Sequence, residues 1–481
     1  MEKVKQLAMF INGSFTKNRS NQWIDVVNPA TEEVISRIPD GTNEDAAQAI
    51  WAAEEAQKTW ERMPAAARGS YLRRIAEKIR EREAELTRTI VREGGKTQAL
   101  ARTEVLFTAD YLDYTAEWAR RYEGEIIQSD RPNENIFLFK KPIGVISGIL
   151  PWNFPFFLIA RKAGPALVTG NTIVVKPSQQ TPENAFIFSE IVQDVGLPPG
   201  VFNMVTGRGS VIGRELAANP KVGMVSLTGS VSAGQKVMEA ASGNITKVSL
   251  ELGGKAPAIV MDDANLGLAV KAIIASRVIN TGQVCNCAER VYVHRDVKDA
   301  FLDRLTEGMK RVTYGDPSRT EAVDMGPLID KQAMTAVEEK VRRAVHQGAA
   351  LACGGHRTSD KGYFFEPTVL TGVTNEMDIM REETFGPVIP VAEFSTLEEA
   401  IELANDSEYG LTSSLYTKDL ENAFIAIRRL KFGETYMNRE NFEAMQGFHA
   451  GWRKSGIGGA DGKHGLEEYL QTHVVYLETS K

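Results

Sequence analysis

The stretch IGVISGILPWNFPFFLIARKAGPALVTGNTIVVKPS, residues 143–178, sets two short apolar runs on either side of a helix-like segment. A strand can return beside its predecessor in the same direction only through a crossover of about a dozen residues or more, usually a helix. The pattern continues in VFNMVTG (201–207), GMVSLTG (223–229) and TKVSLELGG (246–254), with helix-like segments in the gaps. Such alternation predicts an α/β fold with a doubly wound parallel sheet, whose ligand crevice lies at the carboxyl ends of the strands. Residues that carry chemistry are therefore expected just after the apolar runs.

A second alternating set starts at APAIVMDD (256–263) and runs to about residue 436, which predicts a second α/β domain. Residues 8 to 38 read as short strands, with Asn12-Gly13 a hairpin signal and Asn28-Pro29 a turn. A two-helix stretch follows. Thr42 and Asp45 have capping-box spacing, Pro64 suits a first helical turn, and Leu72, Ile75, Ile79, Leu86 and Ile90 recur helically until Gly94-Gly95. Residues 119–140 and the tail YLQTHVVYLET (469–479) alternate like strands outside both α/β domains.

Composition narrows the function classes. The chain has 481 residues, 43% hydrophobic and 25% charged, which is ordinary for a soluble globular protein. With 56 Lys+Arg against 63 Asp+Glu the formal charge is -7, and no basic run suggests a nucleic-acid partner. No segment approaches the roughly 18 apolar residues of a membrane span, and the N-terminal apolar run is too short for a secretory signal, so a cytoplasmic protein is expected. Three cysteines, Cys285, Cys287 and Cys353, do not make a disulfide framework. The C-x-C pair at 285–287 lacks the further ligands of a structural zinc site, so no metal is expected, and packing or thiol chemistry remains.

Gly207, Gly209 and Gly213 follow a strand and open a helix, but their spacing is one residue longer than the dinucleotide pattern. Gly229-Ser230 makes a second such turn, and for both a tight connection and phosphate binding stay open. Taken together, the strand ends read PWNFP (151–155), KPS (176–178), ELGGK (251–255), GQVC (282–285) and EETFGPV (382–388). This set, in this order and at these separations, resembles the NAD(P)-dependent aldehyde dehydrogenase superfamily over essentially the whole chain. The resemblance implies a cofactor-binding domain (1–118 and 141–252), a catalytic domain (253–436), a small β oligomerisation element (119–140 and 462–481) and a substrate-pocket loop region (437–461).

The resemblance also makes Cys285 the nucleophile. A planar carbonyl carbon does not readily give up hydride, so thiol addition first makes a tetrahedral thiohemiacetal, whose oxyanion then expels hydride to nicotinamide. A free thiol, with pKa about 8.5, is only slightly ionised at neutral pH, so the site must stabilise or generate the thiolate. Asn153 matches the oxyanion-binding asparagine, acting with the Cys285 backbone N–H. Glu251 matches the general base that activates water to release the thioester as a free acid. Cys287, two positions on, need not share the direction of Cys285, and packing is expected for it and for Cys353.

For the cofactor, the resemblance sets Lys176, Pro177 and Ser178 near the adenosine ribose and Leu150, Pro151 and Trp152 along the nicotinamide side. Gly229 and Ser230 meet the pyrophosphate, Glu383 and Phe385 hold the nicotinamide ribose and ring, and Arg214 is either an adenine-side contact or an exposed helical arginine. Gln179 stands where NAD-preferring members carry glutamate, so NAD is expected with NADP also accepted. Many members have aromatic residues at the positions of Arg161 and His449; with Asn286, these predict a pocket for a short 2-hydroxyaldehyde of the lactaldehyde or glycolaldehyde kind. A semialdehyde such as succinate semialdehyde, gripped by Arg161, or a broad aldehyde range is the alternative. A nucleotide-independent thiol hydrolase and a catalytically silent relative also stay open, and a homo-oligomer, dimer or tetramer, is implied.

Overall fold

The apolar runs become the centre of an eight-stranded sheet in a computed structural model that describes residues 4–17, 19–320 and 322–479. Its parallel core runs Lys247–Glu251, Val222–Thr228, Val145–Ile149, Thr172–Lys176, Phe202–Met204 in spatial order. The first of these in sequence, Val145–Ile149, lies in the middle, so the chain winds outward on one side and then on the other. The winding reverses between Val145–Ile149 and Val222–Thr228, where Ile149 pairs with Leu227. A doubly wound sheet opens its crevice at such a reversal, because the loops leaving the two strands diverge to opposite faces. The Met9–Ile11/Ser14–Thr16 hairpin closes one edge, and Gly456–Ile457 pairs with the other beside Glu251.

A seven-stranded sheet, from Ala350–Cys353 across to Glu434–Met437, is parallel except for Ala350–Cys353. The strands Glu125–Gln128, Glu134–Pro142 and Leu470–Glu478 form a separate antiparallel sheet, in line with their alternating sequence. Asn12 (φ 53°) and Gly13 (φ 77°) make the expected hairpin turn. The expected two-helix stretch is richer than its periodicity suggested. Asn43–Trp60 starts at the Thr42/Asp45 capping box, but the second run breaks at Arg82 (φ −100°, ψ 16°) into Ala65–Glu81 and Glu83–Gly94, and Gly95 ends it in the left-handed region. A further helix, Gln98–Glu117, was not read from the sequence, although Thr97 caps it and Ala101, Val105, Ala109, Leu112 and Ala116 form its buried face.

That helix matters to the site. It packs against Phe157–Val168, a helix buried at all twelve of its residues, which carries Arg161 and Lys162. Glu104 accepts from the Phe156 N–H (2.9 Å) and the Phe157 N–H (3.2 Å), satisfying amides that the helix start leaves free. Lys96 pairs with the other Glu104 oxygen and donates to the Asn153 carbonyl (2.7 Å), so one buried ion pair holds both the helix start and the 151–156 loop.

Replacing Lys96 with Met leaves the Glu104 carboxylate buried without its counter-ion, at an expected cost of about 3–5 kcal/mol of stability. A lower urea midpoint with an unchanged slope is the expected signature. An unchanged midpoint would mean that Glu104 does not depend on Lys96.

Candidate active site

The sheet reversal opens into a cavity of about 340 Å³, walled by the loops after Val145–Ile149, Val222–Thr228 and Lys247–Glu251 and by the Cys285 loop. Cys285 is half-buried on this wall. The loop before it is bent by three successive left-handed residues, Asn280 (φ 47°), Thr281 (φ 60°) and Gly282 (φ 74°). A β-branched threonine is strained there, so the surroundings must over-determine the loop. Thr281 Oγ1 donates to the Gly326 carbonyl (2.9 Å), Gln283 Oε1 accepts from the Ile329 N–H (2.9 Å), and Arg277 grips the Gly282 and Ala288 carbonyls.

The two cysteines separate as expected. Cys287 points away from the cavity into the core with its Sγ 2.9 Å from the Val284 carbonyl, and burial pushes its thiol up to about 12. Cys353 is half-buried at the end of its strand and packs against the core. Burial also pushes the Cys285 thiol up, and a hydrogen bond with His449 pulls it back. His449 in turn has its Nδ1 2.7 Å from Glu434 Oε1; although burial opposes the imidazolium, the Cys285 and Glu434 contacts raise it well above the ordinary histidine range.

Asn153 lies on the same wall, with one amide hydrogen donated to the Gln283 carbonyl (3.0 Å). An amide has a second N–H to donate besides this one. Glu251 also lines the cavity and accepts from Thr228 Oγ1 (2.9 Å). Burial alone would raise its carboxyl; Lys162, Arg161 and His449 outweigh that and hold it below the usual carboxylate range, so it is ionised at neutral pH. Lys162 is fully buried against Ser226 Oγ (2.9 Å), and burial brings its amine down to about 8.

Arg161, Asn286 and His449 do meet in this cavity, but Arg161 is not an open grip. Its guanidinium forks onto Asp461, reaches Glu443 Oε1 at 3.0 Å and comes within 3.9 Å of Glu251. Asn286 Nδ2 donates to Glu443 Oε2 (2.6 Å), so Glu443 bridges two of the three polar residues. Glu443, Asp461 and Glu434 were not read from the sequence. Glu443 and Asp461 lie within or at the end of the 437–461 loop region around His449, but which acids fold inward depends on contacts with Arg161 that no spacing reveals.

Of the residues expected to hold a cofactor, Pro151, Trp152, Gly229, Ser230, Glu383 and Phe385 share the cavity with the cysteine. The Trp152 and Phe385 rings stand edge to face with centroids 5.6 Å apart. Ser230 caps the helix Val231–Ser242, accepting from the Ala233 N–H (3.2 Å), and Glu383 accepts from the Gly254 N–H (2.9 Å). Leu150, Lys176, Pro177, Ser178 and Gln179 lie outside the cavity, beyond the same carboxyl edge of the sheet, where Ile149 pairs with Lys176. Burial brings the Lys176 amine down to about 8, with the Pro177 carbonyl 3.1 Å away, and Gln179 donates to the Gly207 carbonyl (3.2 Å). Arg214 is exposed at the start of its short helix and does not join the cavity; in the preceding turn it is Arg208 that pairs with Asp40. Gly207, at φ 141°, presses against Gly41, which accounts for that glycine through close packing.

A thiol, an amide donor and an ionised carboxylate around one cavity, at the reversal of a doubly wound sheet, are the groups that covalent thiol catalysis needs. Residues 15–475 match the aldehyde dehydrogenase family. The chain is 66% identical over 474 residues to the lactaldehyde dehydrogenase of Escherichia coli (strain K12), covering 98% of this chain and 99% of that one. A crystal structure of lactaldehyde dehydrogenase from Escherichia coli superposes with a TM-score of 0.98 over 99% of this chain and 100% of that one. A 3,6-anhydro-L-galactose dehydrogenase in complex with NAP, 42% identical, gives a TM-score of 0.96 over 98% of this chain and 100% of that one. The chain belongs to the aldehyde dehydrogenase family, whose members use NAD(P).

With aldehyde and cofactor supplied, Cys285→Ser should abolish formation of reduced nicotinamide while Cys287→Ser retains most of it. Equal inactivity of two folded variants would contradict the separation of roles.

Proposed function

We propose that this enzyme oxidises a short 2-hydroxyaldehyde, lactaldehyde or glycolaldehyde, to its carboxylic acid. The observation that carries the reading is the internal pairing of Arg161 with Asp461 and Glu443 beside Cys285. A guanidinium already matched by carboxylates offers little to a substrate carboxylate, which would also face Glu251 and Glu443. A hydroxyl can instead exchange hydrogen bonds with Asn286, Glu443 and His449. The 66% identity to a lactaldehyde dehydrogenase supports the same choice.

In this reading Cys285 adds to the aldehyde carbon, helped by the His449–Glu434 pair, which can keep a positive charge beside the forming thiolate. The spare Asn153 N–H and the Cys285 backbone N–H stabilise the oxyanion, a donor of this kind being worth about 3–4 kcal/mol. The residues suit a dinucleotide: helix Val231–Ser242 starts at the cavity, where first-turn amides favour an anion, and the Trp152 and Phe385 rings line the same cavity. Glu383, Phe385 and Ser230 at the cavity, with Lys176 and Ser178 beyond the same sheet edge, would hold NAD(P), which would supply the hydride acceptor. Glu251, kept ionised by Lys162 and Arg161, then takes a proton from the water that releases the acyl group from sulfur.

Residues 1–118 and 141–252 bind the cofactor in this scheme, and 253–436 supply the nucleophile. The exposed Ile126, Phe139, Tyr476 and Leu477 on the three-stranded sheet favour association into a homo-oligomer through that sheet. The free cysteines suit a cytoplasmic setting, and among the described residues no helix is long and apolar enough to cross a membrane.

Lactaldehyde should exceed propanal in kcat/KM, because polar groups desolvated for a hydroxyl are left unpaired by its absence. His449→Phe should erode that preference. Succinate semialdehyde outperforming lactaldehyde by about tenfold or more, a difference of about 1.4 kcal/mol, would overturn the hydroxyaldehyde reading.

Gln179 has a neutral amide where a carboxylate would repel a 2′-phosphate, so NADP should be accepted alongside NAD. Gln179→Glu should shift the ratio of kcat/KM values toward NAD. An unchanged ratio would exclude residue 179 from contact with the ribose.

A further inference from the structure

Glu289 lies second in the strand Ala288–His294, AERVYVH, six of whose seven residues are buried. An acid in a sheet core is costly unless fully partnered. Its partners are complete. Lys255 Nζ lies 2.6 Å from Oε2, Arg277 Nη1 3.1 Å from Oε1, and none of the three side chains is more than 1% exposed. The same two oxygens accept from successive backbone amides of another loop, Thr384 N–H to Oε2 (2.8 Å) and Phe385 N–H to Oε1 (2.9 Å). Lys255 also donates to Thr384 Oγ1 (3.2 Å).

This carboxylate therefore ties together three loops that meet at the cavity. Lys255 closes the Glu251–Lys255 turn, and Arg277 holds the Gly282 and Ala288 carbonyls on either side of Cys285. The Thr384–Phe385 amides belong to the turn that presents Glu383 to the Gly254 N–H and the Phe385 ring to Trp152. Phe385 sits at φ 54°, a left-handed conformation that a bulky residue adopts only when held. The two hydrogen bonds to Glu289 hold the peptide groups on either side of Thr384, the second of which leads into Phe385.

We propose that Glu289 is a positioning residue for the cofactor, fixing the Glu383–Phe385 turn in register with the Cys285 loop. The inference rests on the reading that Glu383 and Phe385 hold the nicotinamide ribose and ring. In Glu289→Gln the amide can accept from only one of the two N–H groups and turns its own NH₂ toward the other, while Lys255 and Arg277 lose their counter-ion. The KM for NAD should rise by about tenfold or more while the KM for lactaldehyde stays within about twofold. Glu289→Asp keeps the charge inside, and so folds even if the glutamine variant does not. Its shorter reach should still raise the NAD KM, by less than the glutamine variant does. A merely structural role would lower kcat through lost enzyme and leave both KM values in place; that result in either folded variant overturns the proposal. Glu383→Gln, measured in parallel, separates the two readings. If it leaves the NAD KM unchanged the cofactor assignment fails, and if it raises the NAD KM while the Glu289 variants do not, only the positioning role fails.

Discussion

Charge sealed away from water has to be matched, and buried ion pairs satisfy that requirement around this cavity, among them Lys96 with Glu104, Arg161 with Asp461, and Glu289 with both Lys255 and Arg277. Each pair also spends its remaining hydrogen-bonding capacity on backbone or on further side chains. Lys96 and Glu104 hold the 151–157 segment, Lys255 and Glu289 hold 383–385, and Arg161 and Asp461 join the helix Phe157–Val168 to the segment around His449. The loops that carry the chemistry are thus anchored by electrostatics at points where apolar packing alone would leave them free to slide.

The sheet reversal sets where those loops converge, and the second sheet supplies what the first lacks. Val145–Ile149 and Val222–Thr228 end side by side, so Asn153 and Ser230 face one crevice. Cys285 arrives on a strained loop between the helix Leu266–Val278 and the strand Ala288–His294, and Gly456–Ile457 crosses from the C-terminal region to flank Glu251. Strain in Asn280–Gly282 is tolerable because Thr281, Gln283 and Arg277 leave the loop few alternatives.

The electrostatics around the cavity distinguish Glu251 from Asp461 and Cys285 from Cys287. Glu251 is stabilised as a carboxylate by Lys162 and Arg161, as a proton acceptor requires. Asp461 is pushed up by burial, and Arg161 only partly pulls it back. Cys285 has His449 within hydrogen-bonding reach, whereas burial keeps Cys287 protonated despite nearby Arg277.

Sequence alone determined the alternating strands and helices, the hairpin at Asn12-Gly13, the capping box at Thr42 and the motifs at the strand ends, because each rests on local periodicity or on residues close in the chain. Strand-end topology accounts for Asn153, Glu251 and Ser230 lying around one cavity, whereas Arg161, Asn286 and His449 were grouped by the family resemblance, and the structure places them on the same cavity. The tertiary structure decided the rest. It alone brought Glu443, Asp461 and Glu434 inward, matched Arg161 internally, and left Arg214 on the surface. These outcomes depend on partners far apart in sequence, such as 161 with 461, and a buried charge is chosen by the full set of neighbours available to it, which no local pattern contains.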